Sequence, residues 1–159
     1  METWFMQLLS SSNGRHFRDD EIERIQHYAE SLPDRLTAVK EVADHRDFLT
    51  KHLSKNVPEF SGNQPFAADL VDSMQAICQA MLLDDLSVVE NKLQDRLYSV
   101  VVLMEMPAAT LMDCYQQLEN TLYSKISPAS KELLEPYFQW ARERMLTMVE
   151  EPEYATATS

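Results

Sequence analysis

The stretch Phe66-Ala67-Ala68-Asp69-Leu70-Val71-Asp72-Ser73-Met74-Gln75-Ala76-Ile77-Cys78-Gln79-Ala80-Met81-Leu82-Leu83 decides the fold class. Its apolar members Leu70, Val71, Met74, Ile77, Cys78, Met81 and Leu82 recur at spacings of three and four. A helix of 3.6 residues per turn gathers such positions into one continuous stripe, so a helix is predicted over about 66–83.

Downstream, Leu86, Val89, Leu93, Leu97, Val100 and Met104 continue the helical period. Asp84 and Asp85 stand where they can cap the free amides of that next helix and complement its dipole. Pro107 removes a backbone donor and clashes with the preceding turn, so the helix stops there. A new helix is expected from Ala108 to about Lys125 with Leu111, Met112, Tyr115, Leu118 and Leu122 inward. Ser127, Pro128 and Ser130 mark a further start, followed by Leu133, Leu134, Phe138, Ala141 and Met145 to about Val149, with a kink expected at Pro136.

Upstream, Asp19 or Asp20 is read as the cap of a helix carrying Ile22, Ile25 and Tyr28. Pro33 and Asp34 are read as the opening of a longer one through Leu36, Val39, Val42, Ala43, Leu49 and Leu53. Ser61 to Pro65 is the clearest loop. Residues 1–149 therefore form a single expected domain, and 150–159, with little to bury, form a flexible acidic and polar tail.

Composition agrees. Only two glycines stand against nine methionines, which starves β-hairpins of their turn residues and favours helix. A chain of 159 residues buries roughly two thirds of its unfolded surface and needs no disulfide staple. The formal charge of −12 is spread along the chain, which argues against nucleic acid or an anionic membrane as partner and for a basic protein surface. No apolar run approaches the ~20 residues a membrane span requires. Cys78 and Cys114 lack any CxxC or Cys/His spacing, so a zinc site is not indicated and a reduced cytoplasmic setting is expected.

Catalysis finds no support. The acidic pairs Asp19-Asp20, Asp84-Asp85 and Glu150-Glu151 are adjacent residues that point apart on a helix, and helix starts attract carboxylates anyway. There is no Gly-rich phosphate loop and no triad logic. His45 and His52, seven residues apart, share a helix face that could meet a cofactor, but no set of ligands completes a metal shell around them. Cys78, on the apolar stripe between Met74 and Met81, reads as a buried structural thiol.

Several strings, in common order and spacing, resemble the phycobiliproteins, the globin-like subunits of the cyanobacterial and red-algal phycobilisome. Asp85-Leu86-Ser87-Val88-Val89-Glu90 is similar to that family's GDxSxLD junction, and the distance from it to Met106-Pro107 matches the distance to the family's GVP or GTP turn. Phe17-Arg18-Asp19, Ile22-Glu23-Arg24-Ile25 and Tyr28 resemble its YLD…LEKL…Y segment. Arg35-Leu36-Thr37-Ala38-Val39 resembles its RVRAA helix start, and Lys131-Glu132 with Tyr137-Phe138 its closing KE…YFDY.

The resemblance implies an all-α, globin-like bundle of six or more helices with a short amino-terminal helix that packs on a partner. Trp4, Phe5 and Leu8 are the expected interface anchor, the alternative being that they cover the chain's own core. It also implies a departure. Along the family pattern C-x-R-D, the pigment-attaching cysteine falls on Phe66 and the arginine on Ala68, while the aspartate remains as Asp69. Phenylalanine has no thiol for a thioether, so no covalent bilin is expected there. Phe66, Asp69 and His45 mark the remnant of a bilin pocket, which Phe48, Phe66 and methionines are placed to fill. The expected function is a pigment-free, non-enzymatic interaction protein that binds phycobiliproteins or phycobilisome-associated proteins in assembly, regulation or turnover. It would act as a homo- or hetero-dimer in the cytoplasm, reaching the thylakoid face through its partners. The alternative is a sensor that holds a tetrapyrrole or fatty acid non-covalently in the globin-like cavity.

Overall fold

A computed structural model describes the backbone of residues 3–58, 64–87, 90, 92, 93, 95 and 106–150, with side chains except at 64–66, 108 and 148–150. Among these residues the order is α1 (Trp4–Ser11), α2 (Asp19–Asp44), α3 (Arg46–Asn56), α4 (Gln64–Leu83), α5 (Ala108–Tyr123) and α6 (Pro128–Glu150), with no strand. The expected helix after Asp85 falls mostly outside the described residues. Within it Leu93 is buried in the core. Residues 151–159, read as a tail, also lie outside them.

The 66–83 stripe sits at the centre. Ala67, Leu70, Val71, Met74, Ile77, Cys78 and Met81 all enter one core with Ala38 and Val42 of α2, Leu49 and Leu53 of α3, Leu111, Tyr115, Leu118 and Leu122 of α5, and Leu134, Phe138, Ala141 and Met145 of α6. Each fully buried Leu, Ile or Met there contributes about 1.5–3 kcal/mol through removal from water. On another side of α4, Ala76 and Ala80 let Tyr137 and Trp140 approach closely. Phe138 meets Tyr123 edge-on at 5.7 Å and Tyr115 at 6.4 Å, locking α6 onto α5.

The amino-terminal half differs from the sequence reading. Residues 19–44 form one helix rather than two, with Pro33 inside it. Pro33 deprives the Ala29 carbonyl of its donor, but both residues are exposed, which leaves that carbonyl open to solvent, while Arg35, Ala38 and Val42 on the opposite side are buried and hold the helix to the core. The cap is also shifted. Glu21, not Asp19 or Asp20, reaches back to accept from the Arg18 amide at 2.8 Å.

The helix expected to run on through Leu53 breaks instead at His45. Its ring sits 2.7 Å from the Glu41 carbonyl. Because that oxygen only accepts, Nδ1 carries the proton and donates, occupying the carbonyl that the next helical turn would use. The His45 amide then turns to Val42 O at 3.2 Å.

Candidate functional site

The carboxyl end of α4 gathers residues from four parts of the chain. A helix end leaves carbonyls without intrahelical donors, and here side chains supply them. Arg35 of α2 donates to Met81 O, Tyr28 of α2 donates to Leu82 O at 2.8 Å, and the Trp4 indole of α1 donates to Leu83 O at 2.9 Å. Asp84 then takes a left-handed backbone (φ 51), turning its carboxylate to accept from the Tyr137 hydroxyl of α6 at 2.6 Å and to pair with Arg35 at 3.4 Å. Burial, and then the hydrogen bond to Asp84, push the Tyr137 phenol upward.

Asp85 faces the other way. One oxygen accepts from the Ser87 amide at 2.9 Å and hydroxyl at 2.6 Å, the capping role the sequence assigned to it, and the other accepts from the Trp4 amide at 2.8 Å. Burial raises its pKa, but the Ser87 hydroxyl and the Trp4 and Ser87 amides outweigh this and hold the carboxyl below the usual range.

Helix α1 is thereby fastened through Trp4. Trp4 is 8% exposed, lies edge-on to Tyr28 at 5.6 Å, and carries the Arg24 guanidinium 4.3 Å above its ring. Phe5, named with it as an interface anchor, is 42% exposed, as is Leu9; Met6 is 50% exposed and Leu8 half-buried. The strapped end and the outward apolar face belong to different residues of one short helix.

The pocket residues do not converge. Asp69 is exposed on α4, the Phe66 side chain lies outside those described, and His45 serves the α2–α3 junction. That junction is clamped to α4 one turn from Asp69 by Arg46, which donates to Asp72 at 2.7 and 2.9 Å. His52 engages Asn56 at 3.1 Å and stacks on Phe48 at 5.9 Å. Phe48, expected to fill a cavity, is exposed, with the Lys125 ammonium 4.7 Å from its ring centre.

A cavity of about 250 Å³ does lie between α2 and α4, lined by Val39, Val42, Ala43, Gln75, Cys78, Gln79 and Leu82. That is below the ~300–1,000 Å³ common for small-molecule sites, and its walls offer no charge to a propionate. The donor set does not fit a thioether-linked bilin. Both cysteines are buried, and burial pushes the Cys78 thiol up to about 12, leaving it protonated at neutral pH. Among the described residues no group of three or more His, Cys, Asp or Glu is placed to hold a metal ion, and no helix is long and apolar enough to cross a membrane.

Sequence reading missed the inward charges. Arg35 was taken only as part of a helix start, and buried Glu119, held by Arg142 of α6, was not singled out. The period carried a signal for the latter, since Glu119 falls four residues after Tyr115 and three before Leu122, both inward. No curated protein matches the chain. The model of the Phycobilisome protein family matches residues 10–145, which takes in α2 to α5, most of α6, and the Asp84–Asp85 hub. With that match over most of its length and an all-helical architecture of the globin-like type, the chain belongs to the phycobilisome protein family.

Proposed function

We propose that this chain is a pigment-free, non-enzymatic member of its family that acts by binding phycobiliproteins or other phycobilisome-associated proteins, in assembly, regulation or turnover. It works where phycobilisomes are, at the cytoplasmic face of thylakoids, reached through those partners. The observation that carries this reading is α1. Its first residue is fastened to Asp85, Leu83 and Tyr28, yet Phe5, Met6 and Leu9 are held out in water. Exposed aromatic and aliphatic side chains on an anchored element are what a protein interface uses as its buried centre. The two buried thiols and the absence of charge around the α2–α4 cavity support a role without pigment.

The test is capture. Purified protein immobilised and exposed to isolated phycobilisome subunits is expected to retain specific subunits, and a Phe5→Glu, Leu9→Glu double variant is expected to lose them. Retention of nothing by the wild type would sink the reading. A titration with free bilin separates the sensor alternative, since a red-shifted or sharpened absorbance band with a raised Tm would favour it over protein binding.

A further inference from the structure

Helix α3 runs against the electrostatic pattern of the molecule. The chain carries a formal charge of −12, and Arg15, Arg35, Arg46, Arg142 and Arg144 each pair with a carboxylate. Three of its six lysines do not. Lys51 and Lys55 of α3 and Lys125 just after α5 are exposed, and among the described residues no carboxylate pairs with them. The outward row of α3 is Phe48, Lys51, His52 and Lys55, spaced at three and four, with Leu49, Thr50 and Leu53 buried behind it. Lys125 joins this row from α5, its ammonium 4.7 Å from the Phe48 ring centre. Phe48 is still 41% exposed, with the His52 ring tilted against it at 5.9 Å.

We propose that this row docks an acidic segment of a partner protein, with one apolar or aromatic side chain of the segment seated on Phe48 and its carboxylates on Lys51, Lys55 and Lys125. Charge selects the occupant. Lys51 and Lys55 stand one turn apart and repel each other, and Lys125 adds a third cation beside the same aromatic ring. An anionic partner relieves that repulsion. The nearest acids along the chain, Asp44 and Asp47, lie at the amino-terminal edge of the row, and Asp47 is met by Arg46 at 3.6 Å. Asn120, Thr121 and Ser124, which precede Lys125, carry no charge. Spacing favours a peptide. Lys51 and Lys55 are about 6 Å apart along the helix axis, close to the ~6.6 Å between alternate side chains of an extended chain. From Phe48 to Lys55 the row covers about 10 Å, more than one small anion spans. A nucleic acid could stack a base on Phe48, but its closely spaced phosphates would be repelled by the rest of the chain. The row shares no residue with α1, so it is a second contact beyond the one that carries the proposed function.

Fluorescence anisotropy on the full chain tests the proposal, with a labelled synthetic peptide of glutamates around a single tryptophan as probe. The wild type is expected to bind it with a Kd below about 1 mM, weakening as salt is raised. Lys51→Glu with Lys55→Glu is expected to weaken binding about thirtyfold, and Phe48→Ala about tenfold. All three sites are exposed, so circular dichroism should show both variants folded; if Phe48→Ala fails to fold, the lysine variant and a probe with alanine in place of tryptophan decide. Phe5→Glu with Leu9→Glu is expected to bind the probe as the wild type does, so failure here and failure of the α1 reading are separate results. No saturable binding, a folded lysine variant that binds as well as the wild type, or an equally tight complex with a single-stranded oligonucleotide overturns the proposal.

Discussion

Arg35 is the residue on which the helix ends of this domain converge. It is 8% exposed and supplies donors to Met81 O and the Ser31 hydroxyl while facing the Asp84 carboxylate and the Tyr137 hydroxyl. Replacing it with methionine keeps most of the volume but strands a buried carbonyl and removes the cation from Asp84. Arg35→Met is therefore expected to cost about 2–3 kcal/mol, read as a lower denaturation midpoint with unchanged m. Tyr137→Phe, which removes one neutral donor, should cost about 1 kcal/mol, and the double variant less than the sum. Glu21 makes the corresponding case for pH. The Arg15 hydrogen bond first, then the Arg18 amide, draw its carboxyl down to about 2. A depressed carboxylate stabilises the fold above its unfolded pKa, so this contribution is present above about pH 4.5 and is lost as pH falls towards 2. Glu21→Gln is expected to flatten the stability-pH curve across that window, and a curve unchanged in slope would show that the bond does not form in solution. Neither residue was legible beforehand. Helical periodicity states which positions turn inward, and both Glu21 and Arg35 occupy inward positions; what it lacks is the identity of a distant partner, Arg15 across a loop or the end of α4.

At the scale of elements, the parts read correctly were those in which period and breaker agree. α4 was expected over 66–83 and is found over Gln64–Leu83, α5 begins after Pro107, and α6 begins at Pro128. The misses fall where a local signal competes with packing. Pro33 marks a break by its chemistry, yet exposure of its face lets the helix pass, whereas His45, unremarkable by propensity, ends α2 by taking the Glu41 carbonyl. Restoring the missing donor checks the first point: Pro33→Ala is expected to stabilise the domain by about 1 kcal/mol in thermal unfolding, well short of the full ~3 kcal/mol interior penalty because the orphan carbonyl lies on an exposed face where solvent can reach it. The strap on α1 behaves differently. Removing the Trp4 indole removes its bond to Leu83 O and its contact with Tyr28, but α1 lies outside the main core. Trp4→Ala should therefore release hydrogen-exchange protection over residues 4–11 while protection in α4 and α6 stays near wild type. Protection lost uniformly would mean that α1 folds as one unit with the bundle.

For the whole molecule, the arrangement separates two apolar surfaces that a family likeness alone merges. The amino-terminal strings and the Asp85 junction carried enough spacing to name the family, but they are structural strings, and they say where helices meet rather than what the surface meets. The distribution of exposed apolar groups adds that information: Phe5, Met6 and Leu9 stand together on α1, while exposed Ile22 and Leu36 stand on α2. Two sets of variants tell which of these surfaces a partner meets. Phe5→Glu with Leu9→Glu is expected to abolish subunit capture while circular dichroism stays that of the folded chain, because a charge placed at the buried centre of an interface costs several kcal/mol of binding. Leu36→Glu, equally exposed but on the other helix, is expected to leave capture within about threefold of wild type. Both quantities can be read from one capture titration. A folded Leu36→Glu variant that binds no subunit at all would place partner recognition on α2 as well, and the two surfaces would then be one site.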